Sequence, residues 1–201
     1  MGDIGRRAGV LAAVVLTSAA LTGCGLLGGG GRGEPGWVHD EDARRYYRPG
    51  VLLQSAELVD EHFPALGEPA RVSLAEGRFT DPDERVPLPA PDDYWWQAVL
   101  ELAPEDAREL VTASASAGAS DAGGAPDSGG GTLEPVDEAE VLALLVPSLE
   151  EELAACEGGW ASVLPALARG DGGDITVAGD LIEIAALCED SGILVTSAVD
   201  M

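Results

Sequence analysis

No lysine occurs anywhere in this chain: all eleven basic residues are arginine, against 36 acidic ones, and the formal net charge over 201 residues is −25. A surface so short of positive charge repels phosphate backbones at every approach, so nucleic acid is excluded as a partner class. Histidine is almost as scarce, with only His39 and His62 present, which leaves few candidates for general-base chemistry at neutral pH. There is no G-x-S-x-G elbow, H-E-x-x-H helix, P-loop or EF-hand ligand series. Long apolar runs are missing too, and none reaches the ~20 residues that a membrane-spanning helix needs. What remains is rich in alanine, glycine, valine and leucine, a usage expected of GC-rich codons, and the acidity reads as a solvated, self-repelling surface.

The first residues, MGDIGRRAGVLAAVVLTSAALTGC, join the pair Arg6-Arg7 to an apolar run over Val10 to Ala20 and then to small residues before Cys24. This is the layout of a secretory signal, removed on export. Gly5 and Gly9 flank the arginine pair poorly for the folded-protein route, and the export route stays open. Leu21, Thr22, Gly23 and Cys24 resemble the lipobox of bacterial lipoprotein precursors, which reads Leu, a small residue, Gly or Ala, then Cys. The resemblance covers residues 1–24 alone. It implies that the Cys24 thiol carries a diacylglyceryl group, that residues 1–23 are cleaved, and that the protein is tethered to the extracytoplasmic face of the cell membrane. Each buried methylene contributes about 0.8 kcal/mol, so two acyl chains hold where one does not. Without the leader, 35 acidic residues face 9 basic ones, a net charge near −26, and the lipid has no help from a basic patch.

Beyond Cys24, a glycine-rich stretch through residue 37 reads as a flexible tether. Ala113 to Thr132, ASASAGASDAGGAPDSGGGT, lacks large apolar side chains and reads as a disordered insertion. Its two flanks are each marginal for folding alone, so residues 38–201 are expected to form a single domain around it.

YWWQAVLEL places Trp96, Ala98, Leu100 and Leu102 on one face at period two and predicts a strand, while APEDARELVTA predicts a short helix opened by Pro104. Val72 and Leu74 mark a weaker strand upstream, and prolines 82, 87, 89 and 91 an extended connection. VDEAEVLALLV is helical up to Pro147, and Ser148 with Glu151 predicts a capping box for a second short helix. LIEIAALC before the turn EDSG admits two readings, a hairpin strand or a helix closed by Gly192. Ile193 to Val199 is a core strand in both. The expected class is α+β: a few antiparallel strands and two to four short helices.

With Cys24 lipidated, Cys156 and Cys188 remain as an even pair in an oxidising compartment and predict a disulfide. No residue is assigned a catalytic or metal-ligating role and no cofactor is expected. HDED (39–42), DPDE (81–84) and DGGD (171–174) read as solvated turns. The ligand-binding candidates are Trp95, Gln97 and Glu101, on the mixed face of the strand, where an indole offers a stacking platform unless a helix covers it. Trp160 is expected beside the disulfide. The functional expectation is a lipid-anchored protein with a non-enzymatic binding role toward a small molecule, glycan or protein. The competing class is an envelope hydrolase, which requires His39, His62 or a carboxylate pair in a shared cleft.

Overall fold

A computed structural model describes residues 35–83, 94–121, 132–153, 155–168 and 174–200. The leader, Cys24 and the tether up to residue 34 lie outside these, as do prolines 87, 89 and 91.

Two short strands, β1 (Val38–Asp40) and β2 (Arg45–Tyr47), open the domain, and α1 (Ala56–His62) follows with a 3-10 turn over Pro64–Leu66. Next come the long strands β3 (Arg71–Arg78) and β4 (Tyr94–Glu101), then α2 (Pro104–Asp121). The second half runs β5 (Pro135–Val136), α3 (Glu138–Leu144), α4 (Pro147–Glu150), β6 (Trp160–Ser162) and α5 (Leu164–Leu167). It closes on the hairpin β7 (Leu181–Cys188) and β8 (Ile193–Val199). All eight strands form one antiparallel sheet in the order β1-β2-β3-β4-β8-β7-β6-β5. The protein is thus a small α+β domain, with more strands than the sequence pattern predicts and five α-helices among the described residues.

Helices cover both faces of the sheet. Trp96, Ala98 and Leu100 of β4 face α1, α2 and α5, packing with Val59, Phe63, Ala107, Leu110 and Leu167. Trp95 and Val99 face the other way, against Val141 and Leu149 of α3 and α4 and against Leu145 and Val146 between them. A strand covered on both sides loses its polar alternation, which is why β7 and β8 read as almost continuous apolar runs. The same fact resolves the two readings of Leu181–Cys188: it is a strand, paired with β8 from Leu181↔Val199 to Cys188↔Ile193.

Three expectations need correction. The capping box does not form: Pro147 takes the first position of α4 after Val146, and the Ser148 hydroxyl instead accepts the Gly50 N–H at 2.9 Å. The expected insertion does not start at Ala113, because α2 continues to Asp121 through ASASAGASD. Alanine favours the helix, Thr112 and Ser116 bond their hydroxyls to carbonyls four residues back, and Ser114 reaches the Val163 carbonyl at 3.1 Å. Residues 122–131 lie outside the described ones. The third concerns Trp95, Gln97 and Glu101 and is taken up with the site.

Cys156 and Cys188 are joined in a disulfide across 32 positions, with Cα atoms 5.8 Å apart. Trp160 sits opposite Cys188 in the β6–β7 register and shares its apolar cluster.

Gly77 shows how closely β2, β3 and β4 approach. A Cβ there would lie 2.1 Å from the Tyr46 carbonyl oxygen and 2.2 Å from Cζ2 of Trp95. Gly77→Ala is therefore expected to destabilise the domain by about 2 to 3 kcal/mol through overpacking. Urea denaturation measures this, and an unchanged midpoint would mean that Trp95 and β2 give way freely.

Candidate functional site

The platform expected of Trp95, Gln97 and Glu101 is not assembled. Trp95 is 2% exposed and Gln97 fully buried, because α3 and α4 lie over that face of β4. The Arg45 guanidinium sits 4.8 Å from the Trp95 ring, so the indole face is already occupied by a cation. Gln97 serves the backbone: its Nε2 donates to the Leu144 carbonyl and its Oε1 accepts the Val146 N–H at 3.0 Å. Those groups stand at the last residue of α3 and in the extended break before α4, where they have no helical partners. Glu101 is exposed at the far end of β4 and pairs with Arg71, its carboxylate 3.5 Å from Nε.

The functional geometry gathers at the opposite end of β4, around Trp96. Thr176 begins a tight turn in which its hydroxyl accepts the N–H groups of Gly179 and Asp180, at 3.1 and 3.0 Å, while its own N–H donates to the Asp180 carbonyl. Gly179, at φ +113°, holds a conformation that side-chain-bearing residues rarely adopt. This turn delivers the Asp180 carboxylate into the gap between β4 and the end of α1. Its Oδ2 accepts the Trp96 indole N–H at 2.9 Å and lies 2.7 Å from His62 Nδ1. The imidazole contact is short without being aligned as a hydrogen bond, since His62 Nδ1 has no partner that meets the angular requirement. Little of either side chain is exposed, 16% for His62 and 8% for Asp180. His62 also packs its ring on Trp96, with centroids 4.7 Å apart, and Phe63 meets the same indole edge-on.

These groups border a cleft of about 340 Å³ whose walls include Leu58, Leu74, Trp95 and Tyr94 and whose remaining charged lining is Glu61, Glu76 and Asp200. A second cleft, of about 440 Å³, lies between α2 and the β7–β8 turn, with Arg108, Glu189 and Asp190 on its rim. It is the larger of the two, yet it lacks a buried titratable group, and the smaller cleft is the better candidate because functional sites join concavity to convergent polar groups.

A carboxylate beside an imidazole is half of an acyl-transfer arrangement. Among the described residues, no serine, threonine or cysteine lines this cleft. No group of three or more His, Cys, Asp or Glu residues is placed to hold a metal ion among the described residues. The arrangement is suited to holding a ligand between an indole and a set of carboxylates.

The other sequence candidates fall elsewhere. His39 stacks on Tyr46 at 4.5 Å, on β1 and β2. In HDED, Asp40 accepts the Ala43 N–H and pairs with Arg45; in DPDE, Asp81 accepts the Asp83 N–H. Both are local turns. Of DGGD only Asp174 is described, and its carbonyl accepts the Ile182 N–H. Asp180 was not among the candidates, although T-x-x-G-D before an apolar run is a legible signal for a hydroxyl-closed turn. No family model, curated protein or solved structure matches this chain.

Proposed function

We propose that this chain is a lipoprotein held by lipid on Cys24 at the extracytoplasmic face of a bacterial membrane, where its domain binds a ligand in the His62–Trp96–Asp180 cleft. The observation that carries the anchor is the position of Leu21-Thr22-Gly23-Cys24 directly after a basic start and an apolar run. A disulfide between Cys156 and Cys188 supports an oxidising compartment, since such bonds are rare where thiols are kept reduced. Binding in preference to catalysis is supported by a cleft lined, among the described residues, with aromatic, aliphatic and acidic groups and with no serine, threonine or cysteine nucleophile.

One observation favours the second reading, an envelope hydrolase: His62 does share a cleft with carboxylates. Turnover of cell-wall polymers that His62→Ala abolishes would establish it.

The anchor has a direct test. Cys24→Ala is expected to remove all incorporation of labelled fatty acid and to leave the protein uncleaved or released from membranes. Labelling equal to the wild type would sink the reading.

A further inference from the structure

We infer that the cleft takes an alkylammonium group carried on an apolar body; this rests on the binding reading given above. Four observations converge on that chemistry. First, among the described residues the cleft is lined by four carboxylates and no arginine, and His62 is the one cationizable side chain there. Arg48 reaches Glu76 at 3.7 Å and His62 stands 2.7 Å from Asp180, which leaves Glu61 and Asp200 with no cation beside them among the described residues. Second, Asp180 is more than nine-tenths buried, yet both of its side-chain contacts fall on Oδ2. No hydrogen bond among the described residues falls on Oδ1, and Asp180 lines the cleft. A buried carboxylate with a spare acceptor atom is held at a cost that a donor cation removes.

Third, the Trp96 indole lines the cleft beside that carboxylate, its N–H engaged by Asp180 and its orientation held by His62 and Phe63 packed against the ring. An aromatic ring next to a carboxylate suits an ammonium, which gains from the ring quadrupole and the charge together. Fourth, the same end of the sheet is unusually apolar for an exposed surface. Of the five large hydrophobic residues that are exposed among the described ones, Phe79, Tyr94, Val177 and Leu181 lie at the ends of β3, β4 and β7 and in the turn before β7, and Tyr94 lines the cleft itself. A rim of that kind receives the hydrocarbon part of a ligand.

The shared chemistry fits a free amine or a lysine side chain on a peptide, and the experiment separates the two. The folded domain, with its disulfide intact, is titrated in parallel with hexylammonium, hexanol, hexanoate and an acetylated, amidated Leu-Lys-Leu peptide, and followed by the Trp96 indole N–H and the backbone amides in NMR. Hexylammonium is expected to shift Trp96, His62, Asp180 and Asp200 at concentrations at least about tenfold lower than hexanol, with no response to hexanoate. Tighter binding of the peptide identifies a polypeptide as the source, and tighter binding of the amine a small molecule. Glu61→Gln combined with Asp200→Asn should weaken hexylammonium about fivefold or more while the unfolding midpoint holds. Equal shifts from hexanol and hexylammonium at these residues would overturn the charge assignment and leave the cleft as the site. Shifts confined to other residues, or none with any probe, would overturn the cleft as well.

Discussion

Gln97→Leu is expected to lower the stability of the domain by about 3 to 4 kcal/mol, although it exchanges a buried polar side chain for an apolar one of similar volume. In most cores such an exchange gains hydrophobic energy, and the sign here is set by what Gln97 touches. Its amide supplies partners for the Leu144 carbonyl at the end of α3 and for the Val146 N–H in the extended break that follows. Leucine supplies neither. Each orphaned buried group costs about 1 to 3 kcal/mol, more than the transfer gain of one side chain offsets. For a domain of this size the melting temperature should fall by about 10 °C, and calorimetry at neutral pH measures it. A fall under about 2 °C would mean that water reaches the break and satisfies both groups.

The second large effect belongs to the disulfide. Replacing Cys156 and Cys188 together by alanine should cost about 3 to 4 kcal/mol, the loop-closure entropy of a cross-link that spans 32 positions. Cys188 is fully buried at the end of β7, so the alanine pair also loses packing against Trp160. Urea unfolding of the double variant, set beside the wild type in strong reductant, separates the two terms: the reduced wild type loses the cross-link and keeps the sulfur atoms. Equal midpoints for oxidised and reduced wild type would show that the cross-link does not restrain the unfolded chain.

Much of this architecture was legible in the residues, and the parts that were not have physical causes. The period of β4 and the apolar runs of β7 and β8 were plain, because side chains on long strands repeat many times. Strands of two or three residues such as β1, β5 and β6 carry no period at all, and only their neighbours in the sheet make them strands. Gln97 misled because a polar residue in a strand reads as solvent-facing. Its true partners are backbone groups 47 and 49 positions away, at a break that no propensity marks. The candidate site was half visible: His62 stood out by rarity, and Trp96 was read correctly as belonging to the apolar face of β4. Asp180 was one acid among 36, and what distinguishes it is burial beside an indole 84 positions distant.

The order of the strands has a bearing on how many copies of this chain can be crowded together. A sheet of eight strands ordinarily presents two rows of unpaired amides along its margins, and long, flat margins recruit other chains into fibres. Here the outermost strands are β1 and β5, three and two residues long, and the latter begins with Pro135, which has no N–H to offer. The long, highly apolar strands that would be dangerous at a margin, β4, β7 and β8, all lie inside it. Margin strands this short, on a chain of net charge −25, give neighbouring copies little to pair with, so the order of the strands itself works against edge-to-edge addition.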